Sequence, residues 1–87
     1  MEYIQTIITR WLQDYGFDII DSNKFTTKYF NSKQNIIIEL TLSKFMEVII
    51  DDIGNNGSVT LTAKNSYDFP EVLTFLEDLF NAVLDTM

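Results

Sequence analysis

The chain has 87 residues, of which 46% are hydrophobic, and its formal net charge is −7 at pH 7. This length suits one domain, predicted to span residues 1–87, and the apolar fraction is high enough to exclude global disorder. Because cysteine and histidine are both absent, the chain lacks a disulfide framework, thiolate or imidazole metal ligands, and Ser–His or Cys–His nucleophile pairs.

The first predicted element is an amphipathic helix over residues 3–15. Its apolar positions recur at helical spacing and form one stripe, made of Ile4, Ile7, Ile8, Trp11, Leu12 and Tyr15. Gly16 follows the helix as a C-terminal stop, and Phe17 is placed to fold back on the last turn. Since isoleucine and threonine are only middling helix formers, packing must hold this helix in place.

An antiparallel meander of three to four strands is predicted over residues 17–64. Alternating apolar residues, or runs of β-branched and aromatic residues, mark strands over 25–30, 36–42, 45–51 and 58–64, with a short lead-in strand over 17–20 left open. Asn56-Gly57 indicates a hairpin turn before the last strand. The loops between strands are too short for the crossover that parallel pairing requires, so neighbouring strands must pair antiparallel.

A second helix is predicted over residues 69–86. Asp68 is placed as its N-cap, Pro70 suits the first turn, and Glu71 completes a pattern similar to a capping box. The apolar arc of this helix covers roughly 200°, which is wider than one helix needs on one sheet. Either the first helix lies beside it, or one flank is exposed and carries a partner. The predicted fold is α+β, with both helices packed on one face of the sheet.

The acidic residues are unevenly distributed. Residues 1–46 hold five acids and five bases, whereas residues 47–87 hold eight acids and one base, Lys64. Binding of a nucleic-acid backbone or an anionic membrane needs the opposite sign of charge, so neither is predicted as a direct partner. The N-terminus has no basic segment followed by a continuous apolar run, so we expect no signal peptide and a cytoplasmic protein.

No catalytic, metal-binding or cofactor-binding site is predicted, and we expect a protein that is not an enzyme. The turn over residues 51–57 invites an EF-hand interpretation, but the third and twelfth loop positions are Gly54 and Ala63, which supply no side-chain oxygen. Asp51 and Asp52 are neighbours on a strand and therefore point to opposite faces. The aromatic residues are interpreted as core. An enzyme would require a pocket in which several acids converge.

The last predicted helix carries an acidic face. Glu71, Asp78 and Asp85 are seven residues apart and form a row with steps of about 10.5 Å. No lysine or arginine on this helix relieves their repulsion. The row is either a solvated face or a docking surface for a basic protein. The residues predicted to bind that partner are Glu71, Glu77, Asp78, Asp85, Glu47, Asp51 and Asp52.

Two functions are compatible with this size and charge. The first is a small inhibitor that docks on a basic, nucleic-acid-binding protein or nuclease, with carboxylates in place of phosphates. In size and charge the chain is similar to anti-restriction, anti-CRISPR, immunity and antitoxin proteins of phages and other mobile elements, although no motif connects it to them. The alternative is a homodimeric structural or chaperone-like adaptor that binds through apolar surface and sheet edges. Binding that weakens steeply with salt favours the first function, and binding that barely changes favours the second.

Overall fold

The computed structural model describes residues 2–87, with side chains from Tyr3 onward. The elements in chain order are α1 (Glu2–Asp14), β1 (Asp18–Ser22), β2 (Thr26–Asn31), β3 (Ile36–Leu42), β4 (Met46–Asp52), β5 (Gly57–Ala63) and α2 (Phe69–Thr86). The α+β fold class is therefore confirmed, and the meander has five strands where the sequence predicted three to four. Within residues 2–87, neither helix is both long and apolar enough to cross a membrane. The prediction that the chain has no signal peptide concerns the N-terminal residues, of which Met1 lies outside the described part of the structure.

The sheet is a meander in which each strand pairs with the next one along the chain. The order is β1-β2-β3-β4-β5, and every neighbouring pair is antiparallel. In β2, β3 and β4 buried residues alternate with less buried ones, as strict apolar alternation predicts. Their buried positions define the inner face of the sheet, which the helices cover. The sequence left open whether residues 17–20 form a strand. In the structure a strand does form there, β1, although all five of its residues are exposed at the edge of the sheet.

The first helix lies on the inner face, over β2. The Gln5 side-chain amide donates to the Thr27 hydroxyl at 2.9 Å, and the hydroxyls of Thr9 and Tyr29 are 2.7 Å apart. Thr27 and Tyr29 are both buried inner-face residues of β2. Burial raises the pKa of Tyr29, and the hydrogen bond with Thr9 lowers it to a smaller extent. The phenol therefore stays neutral and holds the helix to the sheet.

The second helix lies beside the first on the same face. It packs against β4 and β5, and Phe80 stacks on Trp11 of α1 with ring centroids 4.3 Å apart and an interplanar angle of 29°. Such a pair contributes about 0.5–1.5 kcal/mol beyond the area it buries. The wide apolar arc of α2 is thus explained mainly by packing against α1. Leu73 and Leu84 nevertheless remain 49% and 47% exposed.

One core joins the sheet to both helices. It consists of Ile8, Leu12, Phe17, Tyr29, Ile36, Ile38, Leu40, Leu42, Met46, Val48, Ile50, Ala63, Val72, Phe75, Leu79 and Val83. The two central strands contribute seven of these residues, because their inner-face positions are all apolar except Asp52. The core therefore runs along β3 and β4, and of the two edge strands only β5 contributes to it, through Ala63.

A Schellman motif ends α1. Gly16 has φ +91°, its N–H donates to Gln13 O at 3.1 Å, and the Phe17 N–H donates to Leu12 O at 3.0 Å. Phe17 is fully buried and lies in the same core as Leu12. The predicted glycine stop and the return of Phe17 onto the last turn are both confirmed. The motif fixes the direction in which the chain enters β1.

Two hairpin loops end in asparagines with left-handed backbone. Asn35 has φ 56° and precedes β3, and Asn56 has φ 55° and precedes β5. The predicted hairpin between β4 and β5 is confirmed, but its turn spans residues 53–56, and Gly57 is already the first residue of β5. The Ile53 N–H donates to Asn35 O at 3.0 Å, so the two loops also hold each other at one end of the sheet.

We expect Gly16→Ala to lower the free energy of unfolding by about 1–2 kcal/mol, because an L-residue is strained at positive φ. The matched control is Gly54→Ala, whose added Cβ meets no heavy atom closer than 3.7 Å. This control should stay within about 0.5 kcal/mol of the wild type. Urea unfolding of both variants measures the difference. Equal destabilisation by the two changes would contradict the role given to Gly16.

Candidate docking surfaces

No element within residues 2–87 covers the sheet face opposite the helices, which is called the open face here. Residues paired across neighbouring strands point to the same side, so the register places the side chains of this face in rows. The first row is Asp18, Phe30, Ile37, Asp51 and Ser58, the second is Asp21, Lys28, Glu39, Ile49 and Thr60, and the third is Thr26, Thr41, Glu47 and Thr62. The open face therefore draws on all five strands.

The open face is strongly acidic. Its carboxylates are Asp18, Asp21, Glu39, Glu47 and Asp51, and its one basic residue is Lys28. Lys28 Nζ lies 3.8 Å from Glu39 Oε2, and among the side chains of residues 3–87 this is the one ion pair. Such an exposed pair contributes little to stability. Most of the negative charge of this face is therefore not neutralised within the chain.

Apolar side chains lie at the centre of the open face. Phe30 of β2 pairs directly with Ile37 of β3, and Ile49 of β4 lies one row away. All three are half-buried, since no helix covers them. An apolar centre with a charged rim is the usual anatomy of a protein–protein interface.

A β-bulge brings Asp21 onto the open face. Ile19 pairs with Tyr29 and Asp21 pairs with Lys28, so Ile20 is the extra residue on β1. Without the bulge, strict alternation from Asp18 would turn Asp21 toward the inner face. The bulge thus adds a carboxylate beside Lys28 and keeps that charge out of the core.

The partner-binding residues predicted from the sequence do not form one surface. Glu47 and Asp51 lie on the open face, whereas Glu77, Asp78 and Asp85 are exposed on α2, on the other side of the sheet. A flat partner surface therefore does not reach both groups together. The chain has two separate acidic surfaces.

Asp52 and Glu71 are engaged within the fold. Asp52 is buried, its Oδ1 accepts the Asn55 N–H at 3.2 Å, and its Oδ2 accepts the Asn55 side-chain amide at 2.9 Å. Glu71 Oε1 accepts the N–H groups of Lys64 at 2.6 Å and Asn65 at 3.4 Å. Both carboxylates therefore bond the loops next to β5.

The predicted capping box at the start of α2 is wrong. Asp68 occupies the N-cap position, but its side chain makes no capping hydrogen bond. Glu71 does not reach back to the Asp68 N–H because it bonds the backbone of the loop after β5 instead. This contact joins the first turn of α2 to the end of β5, which a local sequence pattern does not encode.

Carboxylates do not gather into a metal site in the described part of the chain. Among residues 3–87, no group of three acidic side chains is arranged to hold a metal ion. The turn over 53–56 is followed by β5 and not by a helix, and Asp52 uses both carboxylate oxygens inside that turn. The hairpin interpretation of this segment is confirmed.

Aromatic residues are exposed at the end of the sheet where α1 and α2 begin. Phe25, Phe45 and Tyr67 are 51%, 47% and 80% exposed, and they line an open groove of about 670 Å³ together with Lys24 and Lys44. These three aromatic residues with the two lysines are called the aromatic end here. The interpretation of Phe25 as core is wrong, because Phe25 precedes β2 and lies in the loop beyond the sheet. The same interpretation is wrong for Tyr3 and Tyr15, which are 77% and 39% exposed.

Sequence reasoning missed Asp18, Asp21 and Glu39 as members of an acidic surface. Acids and bases balance in residues 1–46, so the count indicated no net charge there. In the structure those three acids lie on the open face, while Lys24, Lys33 and Lys44 lie in loops and Arg10 lies on α1. Strand alternation marks Glu39 as facing away from the core, but only the pairing of all five strands brings the acids together.

Comparison with known proteins gives no family for the chain. No family model matches it, and neither does any curated protein or any solved structure.

We expect Glu71→Ala to lower the free energy of unfolding by about 1 kcal/mol, because two backbone N–H groups lose their acceptor. Glu71→Gln keeps an acceptor oxygen and should recover most of that loss. Asp78→Ala, on the same helix, should change stability by less than about 0.5 kcal/mol. Thermal unfolding of the three variants measures this order. If Glu71→Ala were neutral, the structural role given to Glu71 would be wrong.

Proposed function

We propose that the protein is a small inhibitor that docks through its open face on a basic, nucleic-acid-binding partner. One observation carries this proposal, namely an uncovered sheet face with an apolar centre and five carboxylates against one lysine. Proteins with extended basic surfaces are mainly those that hold nucleic acids. A partner whose basic groove is covered by this face would be blocked from its own ligand.

The charge of the open face supports fast and selective association. Carboxylates within about 8 Å of one another act together at physiological salt, since that is the screening length. A surface of one sign speeds encounter with a surface of the opposite sign and disfavours partners of like charge. The same property makes the association sensitive to salt.

The apolar centre supports affinity once the partner is in place. Strands about 4.8 Å apart and about seven residues long make a face of roughly 20 by 20 Å. The projected area of about 400 Å² is below the roughly 800 Å² per partner of a standard interface and corresponds to the smaller interfaces of weaker, transient complexes. Burial of Phe30, Ile37 and Ile49 would stabilise the complex in a way that salt does not screen.

The test is capture of a partner from bacterial lysate by the wild type and by two charge-reversal variants. Asp18→Lys, Glu47→Lys and Asp51→Lys reverse the open face and leave the Lys28–Glu39 pair intact. Glu77→Lys, Asp78→Lys and Asp85→Lys make the same change of net charge on α2. We expect the wild type and the α2 variant to capture a basic nucleic-acid-binding protein at about 0.05 M salt and to lose it at about 0.5 M.

The open-face variant should lose that partner at both salt concentrations, because its binding surface then repels it. Circular dichroism of all three proteins checks that the fold is retained. Capture of the same partner by the open-face variant would contradict the proposal. Loss by the α2 variant alone would move the partner to the helix.

The aromatic end favours a second candidate function, a homodimeric adaptor. Phe25, Phe45 and Tyr67 form an exposed apolar patch, and exposed patches of this kind mark interaction sites. A second copy seated there would bring Lys24 and Lys44 close to their equivalents. Because salt screens this repulsion, such a dimer strengthens as salt rises, which is opposite to the behaviour of the open face.

For this candidate we expect a dimer whose dissociation constant falls between about 0.05 M and 0.5 M salt. Phe45→Ser should weaken it at least about tenfold, because Phe45 contributes apolar area to the patch. Sedimentation equilibrium at both salt concentrations measures these changes. A monomer under both conditions would exclude the homodimeric adaptor.

A further inference from the structure

The last strand of the meander is an unprotected edge. β5 has seven residues, from Gly57 to Ala63, and pairs with β4 along its whole length without a bulge. It contains neither a charged residue nor a proline. Alternate residues of an edge strand turn their N–H and C=O groups away from the sheet, so about three residues of β5 present free backbone groups.

The opposite edge is protected. β1 has five residues, carries Asp18 and Asp21, and is interrupted by the bulge at Ile20. Short length, charge and bulges are the usual devices that stop an edge from pairing with another strand. The contrast singles out β5 as the edge that is open to an added strand.

An acidic flank of α2 runs along this edge. Glu71 bonds the backbone of Lys64 and Asn65 just after β5, and Asp85 lines a pocket with Ser58 and Val59 at the start of β5. The helix and the strand are therefore antiparallel neighbours.

Asp78 lies midway between Glu71 and Asp85 on the same helical row. The α1-facing flank of α2 is a different one, marked by the stacking of Phe80 on Trp11. Asp78 and Asp85 thus stand exposed beside the edge of β5.

The side chains beside the β5 edge favour an added strand that carries basic residues. A strand added to β5 would place alternate side chains next to Val59, which is 39% exposed, and Leu61, on the helix side. Lysine or arginine has an aliphatic stem that covers such residues and a charged head that reaches Asp78 and Asp85. On the other side the added residues would lie beside Ser58, Thr60 and Thr62, which suits small polar side chains.

A second copy of the chain does not fit this edge. Two β5 strands paired about a two-fold axis would bring the α2 helices of both copies to the same side of the joined sheet. Their Asp78 and Asp85 rows would then face each other, and like charges without a partner are unfavourable. The acidic flank therefore disfavours self-association while it favours a basic segment.

We infer that β5 is a docking site for an extended basic segment of another protein, which adds as a sixth strand and places alternate lysines or arginines against Asp78 and Asp85. Backbone hydrogen bonds to the edge supply the pairing, and the carboxylates of α2 select the charge. This site goes beyond the open-face function and does not depend on it.

The test uses a synthetic peptide of about ten residues that alternates lysine and threonine, with binding measured by calorimetry at about 0.05 M salt. We expect a dissociation constant on the order of 0.1 mM. Asp78→Lys with Asp85→Lys should weaken it at least about tenfold, and the matched control Asp18→Lys with Asp21→Lys, on β1 at the opposite edge, should change it by less than about threefold. The double α2 variant should in turn bind the corresponding glutamate–threonine peptide.

Backbone N-methylation separates strand addition from simple charge attraction. One peptide is methylated on its lysine nitrogens and the other on its threonine nitrogens, and both keep all their charges. Because only one set of N–H groups faces the edge, one of the two should lose at least about tenfold in affinity and the other should bind. Equal affinity of both methylated peptides, loss by both, or no binding of the parent peptide would overturn the inference. Failure of the peptide with retention of the open-face partner would leave the proposed function intact.

Discussion

Both helices lie on one face of the sheet, and the rest of the molecule depends on this constraint. Trp11 and Phe80 stack where α1 and α2 meet, and the hydroxyls of Thr9 and Tyr29 hold α1 over β2. Residues 2–87 form no third layer that covers the other face. That face is therefore exposed to solvent. Its side chains are mainly carboxylates and threonines, with a few half-buried apolar residues.

The distribution of charge follows from the same arrangement. The acidic strand residues that point away from the core lie on β1, β3 and β4, while most basic residues lie in the loops or on α1. The negative charge is thus concentrated on the open face and, separately, on α2 beside β5. Two surfaces of one sign on opposite sides of one sheet suit either two contacts with a single basic partner or two different partners.

Much of the fold was predictable because local and tertiary preferences agree. The apolar alternation in β3 and β4 determines which side of each strand faces the core, and Gly16 determines where α1 ends. In both cases the local sequence preference agrees with the tertiary structure. The sequence pattern does not settle whether β1 forms, because none of its residues is buried. The candidate surface was harder to predict, since the face of Asp21 depends on a bulge, and Glu71 bonds a loop that only the folded chain brings near.

The most direct test of the open-face account is carboxylate footprinting of the protein bound to its captured partner. Carbodiimide coupling to an amine, followed by mass spectrometry, reports which carboxylates remain accessible. The account predicts that Glu47 and Asp51 are protected in the complex, while Glu77, exposed on α2, stays reactive. Protection of Glu77 with full reactivity of Glu47 and Asp51 would contradict it.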